Sequence, residues 1–397
     1  MRGRVLISGA SVAGPALACW LGRRGFEVTV VEIAPALRTG GAAVDFRGDL
    51  HLSVLERMGV LADLREVQTG GSPMTFVDDR ERTLLELPAE FAGGDLEVLR
   101  EDLSRVLHAH SADVAEYVFG DRVVDLVDGP DGVDVTFASG AQRSFDLVIG
   151  ADGVHSGVRR LVFGPEERFV SHLGYYVATW GLPNYRALPP GSLGHNRPDR
   201  LISVGVDRRD PARAGAFAVF KSPRLDYDRH DVDQQRRLIA KAFAGVGWEA
   251  PRLLAALESA DDLFFDSINR VDVESWSRGR VALVGDAACG ATLGGMGTGS
   301  AIVASYVLAG ELVAADGDHR AAFARYESRF RGYAQGCQVG GDRAGKFLAP
   351  GRFGGWMRNL MMGNEFLLNR MLQLGKDVTG DLELPDYELN FATRRGA

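Results

Sequence analysis

Val5-Leu6-Ile7-Ser8-Gly9-Ala10-Ser11-Val12-Ala13-Gly14-Pro15, carried on by an apolar run to Arg24 and closed by Glu27-Val28-Thr29-Val30-Val31-Glu32, is the stretch that decides the fold. A short apolar run, a glycine-bearing turn, helical spacing from Pro15 to Arg24 with Gly25 beyond it, and a β-branched run read as strand, helix, strand. In a dinucleotide-binding turn the first glycine permits the tight bend, the second lets backbone approach a pyrophosphate, and the third lets helix pack on strand. Gly9 and Gly14 hold the outer positions, Ser11 stands at the middle one, and Val12 and Ala13 complete the turn. Serine is small, and its hydroxyl is a donor for a phosphate oxygen. Glu32 ends the second strand, where a carboxylate accepts from the adenosine ribose hydroxyls and repels a 2′-phosphate, which favours FAD or NAD over NADP at this site. The competing reading is a generic strand–helix–strand start with a surface glutamate.

Two later segments repeat the pattern of a buried strand running into a small, acidic loop. Phe145 to Ile149 leads into Gly150-Ala151-Asp152-Gly153-Val154-His155-Ser156, and Val281-Ala282-Leu283-Val284 leads into Gly285-Asp286-Ala287-Ala288. Each aspartate therefore stands at a strand's carboxyl end, where doubly wound sheets gather ligands. An Asp-Gly alone is usually a turn, but here Ser156, Arg159 and Arg160 lead a helix whose amino end points at the cleft. After Asp286 comes Gly294-Gly295-Met296-Gly297-Thr298-Gly299, opening a long helix whose free N–H groups and dipole favour an anion. Reduced flavin develops negative charge on its pyrimidine side. Three loops from distant parts of the chain thus suit the adenine end, the pyrophosphate and the ribityl chain of one FAD.

The chain of 397 residues, 46% hydrophobic, is long enough for two domains sharing a cleft. Its net charge of −8, without basic runs, argues against a nucleic-acid surface and for small-molecule partners. The three cysteines, Cys19, Cys289 and Cys337, form no CxxC pair, which suits a reducing cytoplasm. Val5 to Leu21 holds the fingerprint and reads as fold, not leader. No segment offers about 18 uninterrupted apolar residues, so no membrane span is expected. The eight histidines give no metal constellation, since His108 and His110 lie two apart on a helix and face different ways. No metal is expected.

From about Phe169 to Ile268 the pattern changes to a separate sheet, with strand-like pieces at Gly174 to Leu182, Leu201 to Asp207 and Ala216 to Lys221 and a helix near Val232 to Phe243. Val123 to Val127 and Val133 to Phe137 alternate around Gly129-Pro130-Asp131-Gly132 as a hairpin. The fold expected is α/β: a Rossmann-like FAD-binding domain of glutathione-reductase type (1–70, 98–168 and 269–345), an inserted mixed β-sheet substrate domain (71–97 and 169–268), and a C-terminal helix and tail (346–397). In that tail Trp356, Met357, Leu360, Met361, Phe366, Leu367 and Met371 recur at near-helical spacing and read as one packed helix.

Taken together these motifs resemble the single-component FAD-dependent aromatic hydroxylases of the para-hydroxybenzoate hydroxylase fold, including tetracycline-inactivating and polyketide-tailoring monooxygenases, over nearly the whole chain. The resemblance implies that NAD(P)H reduces FAD, that O2 adds at flavin C4a, and that the hydroperoxide delivers one oxygen atom to an electron-rich small molecule. It assigns Glu32 to the ribose, Asp152 and Gly153 to the flavin and nicotinamide pyrophosphate region, Asp286 to the ribityl segment, and Gly295 and Gly297 to the helix start. Arg100, opening Arg100-Glu101-Asp102-Leu103, resembles the family arginine that contacts FAD. Arg38 and Asp45 lie in a segment resembling the one that lines the mobile flavin ring; solvated loop charges are the alternative. Val124 is assigned to the adenine through its backbone. No side-chain acid or base is named. Arg47 is the candidate for substrate or nicotinamide contact, and on the strand near Tyr175, Tyr176, Val177 and Trp180 the face with Tyr176 and Trp180 is the candidate substrate wall, core packing being the alternative.

The chain departs from the family pattern after Gly285-Asp286-Ala287-Ala288. Relatives continue with His or Tyr, a proline four positions on, then Gly-x-Gly; this chain has Cys289, no proline, and reaches Gly295-Met296-Gly297 one residue early. Cys289 is a small buried filler or a covalent flavin attachment point. The departure keeps a flavin oxidase or redox-neutral tailoring enzyme, and a non-catalytic flavin-binding accessory protein, as alternatives to the monooxygenase. A monomer or weak homodimer is expected.

Overall fold

Arg4–Ser8 and Glu27–Glu32 pair in parallel, and the helix Ala13–Gly22 connects them. The computed structural model describes residues 3–37, 43–71, 73–206, 209–293, 296–364, 366–367, 370, 382–389 and 391. A second parallel neighbour, Leu147–Gly150, lies on the other side of Arg4–Ser8, with Ser8 opposite Gly150. Val281–Leu283 extends the sheet beyond it, with Leu283 opposite Gly150. Ala115–Phe119 and the antiparallel Ser277–Arg278 close the two edges. This register has one decisive consequence: Ser8, Val31, Gly150 and Leu283 are level, so the loops that follow them leave the sheet at one carboxyl edge.

The strands read as continuous apolar runs because both faces are covered. Helix Ala13–Gly22 is buried along nearly its whole length, since the sheet lies on one side and helix Gly297–Ala314 on the other. Contact between the two helices is close: Ser305 Oγ donates to the Ala13 carbonyl at 3.0 Å. Gly297–Ala314 is long and apolar enough to cross a membrane by length and composition; here it is a core helix with 78% of that span buried. Fully burying each of its Val, Leu and Ile side chains contributes about 1.5–3 kcal/mol.

The second sheet has seven strands, in the order Phe264–Val271, Val170–Pro183, Arg213–Lys221, Arg200–Val206, Gly191–Arg197, Met74–Val77 and Thr83–Leu87. It is antiparallel except where Gly191–Arg197 meets Met74–Val77. Period-2 alternation divides Val170–Pro183 between two cores. Tyr176, Ala178, Trp180 and Leu182 pack with Ile239, Phe243 and Leu253, which come from helices Val232–Ala242 and Ala250–Leu257 and the residue after the first. Tyr175 and Val177 pack on the opposite face with Phe76, Leu85 and Ala349. The hairpin at Gly129 to Gly132 forms and gains Gln142–Phe145 as a third strand. A short ladder joins Ala43–Phe46 to Leu96–Leu99.

The C-terminal helix, Arg352–Met362, forms with its faces exchanged relative to the sequence expectation. Phe353, Trp356 and Leu360 are 67%, 62% and 62% exposed, while Arg358 and Met362 are buried. Arg358 takes the inner face because its guanidinium lies 4.2 Å from the Phe76 ring centroid and donates to the Phe347 carbonyl at 2.9 Å and Asn196 Oδ1 at 2.9 Å. A cation with a stacking surface and hydrogen-bond acceptors fills that place, which apolar spacing alone does not anticipate.

Candidate active site

The loop after the first strand is shaped by its own backbone. Gly9 sits at φ +110° and donates its N–H to the Val31 carbonyl at 2.8 Å. A Cβ on Gly14 would lie 1.8 Å from the Gly9 carbonyl oxygen, so only glycine allows the helix to start this close to the strand tip. Val12 caps the helix without a side-chain hydrogen bond, and Ala13 opens it. The first-turn N–H groups therefore stay available to an anion.

Glu32 is buried under this loop. Its Oε2 accepts from Ala10 N at 2.8 Å and its Oε1 from Ala34 N at 3.0 Å. Two backbone donors fix the carboxylate, an acceptor of the kind a vicinal diol needs. Arg100, the first residue of helix Arg100–Ala109, reaches across and donates to Ser11 Oγ at 3.1 Å, while Ser104 Oγ donates to the Ser11 carbonyl at 3.1 Å. Arg100 also acts electrostatically on Asp286, whose carboxyl burial pushes up and Arg100 pulls back down. The first loop, the third loop and this helix start thus meet.

No hydrogen bond reaches the Asp286 carboxylate from the described residues, although it is half-buried. It lines a small cavity with Gly285, Leu293, Met296, Gly297 and Ser300. Gly297 starts the long helix, whose N-cap residue Met296 supplies no side-chain cap. A half-buried acceptor facing an uncapped helix start suits a ligand offering hydroxyls to one and a developing anion to the other. The narrow glycine cradle, the diol-ready glutamate and this pair fit FAD as a donor and acceptor set.

Asp152 serves its own loop first. It accepts from the Ser156 hydroxyl, from Val158 N at 3.1 Å and from Ser8 Oγ at 3.4 Å, so it ties down the start of helix Gly157–Val162, which Ser156 caps. Burial raises its carboxyl pKa, against the pull of Ser156 and the backbone donors. Gly153 turns the chain at φ +79°. Arg159, fully buried and unremarked as a site in the sequence, ties this loop to the third by donating to the Ala287 carbonyl at 3.0 Å. Val124 is the residue left out of its ladder where the register shifts between Val123 and Asp125.

Asp45 on the short ladder forms an ion pair with Arg47 just beyond it, and Arg47 Nη2 donates to the Phe91 carbonyl at 2.9 Å. Burial raises the Asp45 carboxyl to about 6 despite the neighbouring guanidinium. Cys289 lines the cavity beside Asp286, and burial drives its thiol pKa far up, which favours the protonated thiol. Arg38 and Gly295 lie outside the described residues. No group of metal-ligating side chains occurs among the described residues.

Tyr176 and Trp180 are turned away from this cleft. Trp180 Nε1 donates to the Leu253 carbonyl at 3.1 Å and the Tyr176 hydroxyl accepts from Leu225 N at 2.7 Å, both in the outer core. The two helices that cover this face come from sequence well beyond the strand, so alternation identified the pairing of residues but not which face meets the cleft. The other face carries Phe217 and Phe76 and packs with Phe91, Phe347 and Leu293, and Leu293 also lines the cavity beside Asp286.

A family model described as an FAD binding domain matches residues 2–187. An uncharacterized protein of Mycobacterium tuberculosis is 43% identical over 338 residues, 83% of this chain and 90% of its own. The chain belongs to the FAD-dependent monooxygenases that share this FAD binding domain. A flavin-dependent monooxygenase of Legionella longbeachae is 33% identical over 398 residues, 97% of this chain and 98% of its own. Among solved structures, tetracycline destructase Tet(51) superposes with a TM-score of 0.86 at 32% identity, covering 97% of this chain and 99% of that one. FAD is its cofactor, a small molecule its substrate, and the fold is that of the para-hydroxybenzoate hydroxylases.

Proposed function

We infer that this monooxygenase uses NAD(P)H and O2 to oxygenate an aromatic or polyketide-like small molecule held between the cavity beside Asp286 and the inner face of the seven-stranded sheet. The observation that carries this reading is Leu293, which lines that cavity and also belongs to the apolar layer of Phe76, Tyr175 and Phe217. A flat, largely apolar ligand matches such a layer. The likeness to tetracycline destructases supports an electron-rich polycyclic substrate, and the likeness to the FAD-dependent monooxygenase asL4 of Sarocladium schorii, at 35% identity over 334 residues, supports monooxygenation.

In this reading Gly9 to Gly14, Glu32 and Arg100 hold the nucleotide, Asp286 takes ribityl hydroxyls, and the Gly297 N–H groups face the pyrimidine edge. Residues 71–97 and 169–268 form the substrate-binding part. Phe91, Phe217 and Phe347 orient the substrate and exclude water. Arg47, held by Asp45 and the Phe91 carbonyl, is the contact for substrate or nicotinamide. FAD, when bound, supplies the electron transfer from NAD(P)H and the activation of O2.

The test is anaerobic reduction by NADH and NADPH followed by oxygen, over a panel of phenols and tetracyclines, with product mass spectrometry. One oxygen atom from labelled O2 in the product is expected. NAD(P)H consumption that returns only H2O2 with every compound, or substrate oxidation without added oxygen, overturns the reading in favour of an oxidase.

A further inference from the structure

A histidine occupies the core face of helix Gly48–Met58, in line with Val54, Leu55 and Met58, and it is fully buried. A buried imidazole is costly unless both nitrogens are satisfied. His51 Nδ1 lies 3.0 Å from Arg47 N, an obligate donor, so Nδ1 accepts and the proton of the neutral ring sits on Nε2. Nε2 then donates to the Tyr333 hydroxyl at 2.7 Å, which comes from helix His319–Leu348. Burial raises the pKa of the Cys337 thiol, and Tyr333 and Ser300 both draw it down. Ser300 and Cys337 line the cavity beside Asp286. The His51–Tyr333 bond therefore joins two helices, and the second of them carries Cys337 to the cavity at the first turn of Gly297–Ala314.

The same ring is the floor of that turn. A Cβ on Gly299 would lie 2.2 to 2.6 Å from three His51 ring atoms, so the backbone at Gly299 rests on the imidazole. We propose that His51 and Tyr333 are positioning residues for flavin: the neutral His51–Tyr333 bridge fixes the uncapped Gly297–Gly299 turn so that its N–H groups aim at the pyrimidine edge of FAD. This rests on the placement of FAD given under Proposed function. Burial, and then the nearby Arg47, hold the imidazole down at about 4, with Asp95 opposing, so the ring stays neutral and keeps its tautomer across the working range. A charged ring would lose its acceptor toward Arg47 N.

The experiment is a pH titration of the holoenzyme after anaerobic photoreduction, following by absorbance the pH at which bound reduced FAD takes up a proton at N1. A fixed N–H turn favours the anion, so in the parent this pH lies below that of free reduced FAD. Tyr333→Phe and His51→Leu are expected to raise it by about one unit, a tenfold change in proton affinity. His51→Gln, which restores a donor toward Tyr333, is expected to recover most of the shift. Variants that bind FAD and keep the parent value overturn the role of the pair. A parent value equal to that of free FAD overturns the placement of the flavin instead. Should the variants fail to bind FAD, 15N spectra of histidine-labelled parent enzyme decide: one imidazole neutral and Nε2-protonated at pH 5.5 is expected, and its absence refutes the proposal.

Discussion

Replacing Glu32 by glutamine should weaken FAD binding far more than the loss of a surface charge would. The carboxylate is 9% exposed and receives Ala10 N at 2.8 Å and Ala34 N at 3.0 Å on its two oxygens. Glutamine has one oxygen for two donors, so one N–H must face an amide NH2. Hydrogen bonds to a charged group are worth about 1.5–3 kcal/mol each, and an unpaired buried donor costs about 1–3 kcal/mol. Part of this cost falls on the folded chain with or without cofactor. The Ala10 N–H belongs to the loop between Gly9 and Gly14, however, and a mis-set loop loses its anion geometry while the ribose loses a charged acceptor. About 1.4–2.8 kcal/mol of binding energy, a ten- to hundredfold rise in Kd, is the expectation. Quenching of FAD fluorescence on titration with apo-protein measures it, alongside circular dichroism to verify folding. The ratio of variant to parent Kd should hold between low and high salt, because a buried interaction is weakly screened. A folded variant whose Kd lies within twofold of the parent, or a ratio that collapses in salt, would refute the reasoning.

Further expectations follow from the same geometry. Gly14→Ala places a Cβ 1.8 Å from the Gly9 carbonyl oxygen, so the purified variant should lack the yellow colour and fail to regain it with excess FAD; a variant that purifies yellow contradicts the role of the close approach. Trp180→Phe removes the bond to the Leu253 carbonyl in the outer core and should lower unfolding stability by about 1–3 kcal/mol in urea while leaving KM unchanged, whereas Phe217→Ala should raise KM several-fold at small stability cost. His155 links Glu166 at 3.0 Å to Asp266 at 3.3 Å. Burial lowers its pKa, but Asp266 and Glu166 outweigh it and the net direction is up. A raised histidine pKa gives stability that is complete below the unfolded value of about 6.5 and fades as pH rises through the folded value. The Tm of the parent should therefore fall from pH 6.5 upward by more than that of His155→Gln, and parallel curves would contradict the link.

What was legible in the sequence was whatever a strand tip determines by itself. Gly9, Glu32, Asp152 and Asp286 each end or follow a buried apolar run, and parallel pairing in register is enough to bring such tips to one edge, as Ser8, Gly150 and Leu283 show. No side-chain geometry is needed for that inference. The substrate face required more. Alternation in Val170–Pro183 correctly separates Tyr176 and Trp180 from Tyr175 and Val177, but which set meets the cleft depends on helices that arrive later in the chain, Val232–Ala242 and Ala250–Leu257, and on nothing in the strand. The inner face of the C-terminal helix was hidden for a related reason: the place of Arg358 is decided by Phe76, Phe347 and Asn196 from three other segments. His51 was the least visible of all. A single histidine between apolar residues carries no period or motif, and its partners lie 4 and 282 positions away. The one trace it leaves is indirect, in Gly299, where a glycine is required because an imidazole from another helix occupies the space a side chain would need. Residues that touch the cofactor are set by local backbone and can be read in order along the chain. Those that hold the touching residues in place are set by the meeting of distant elements, and only the folded chain brings them together.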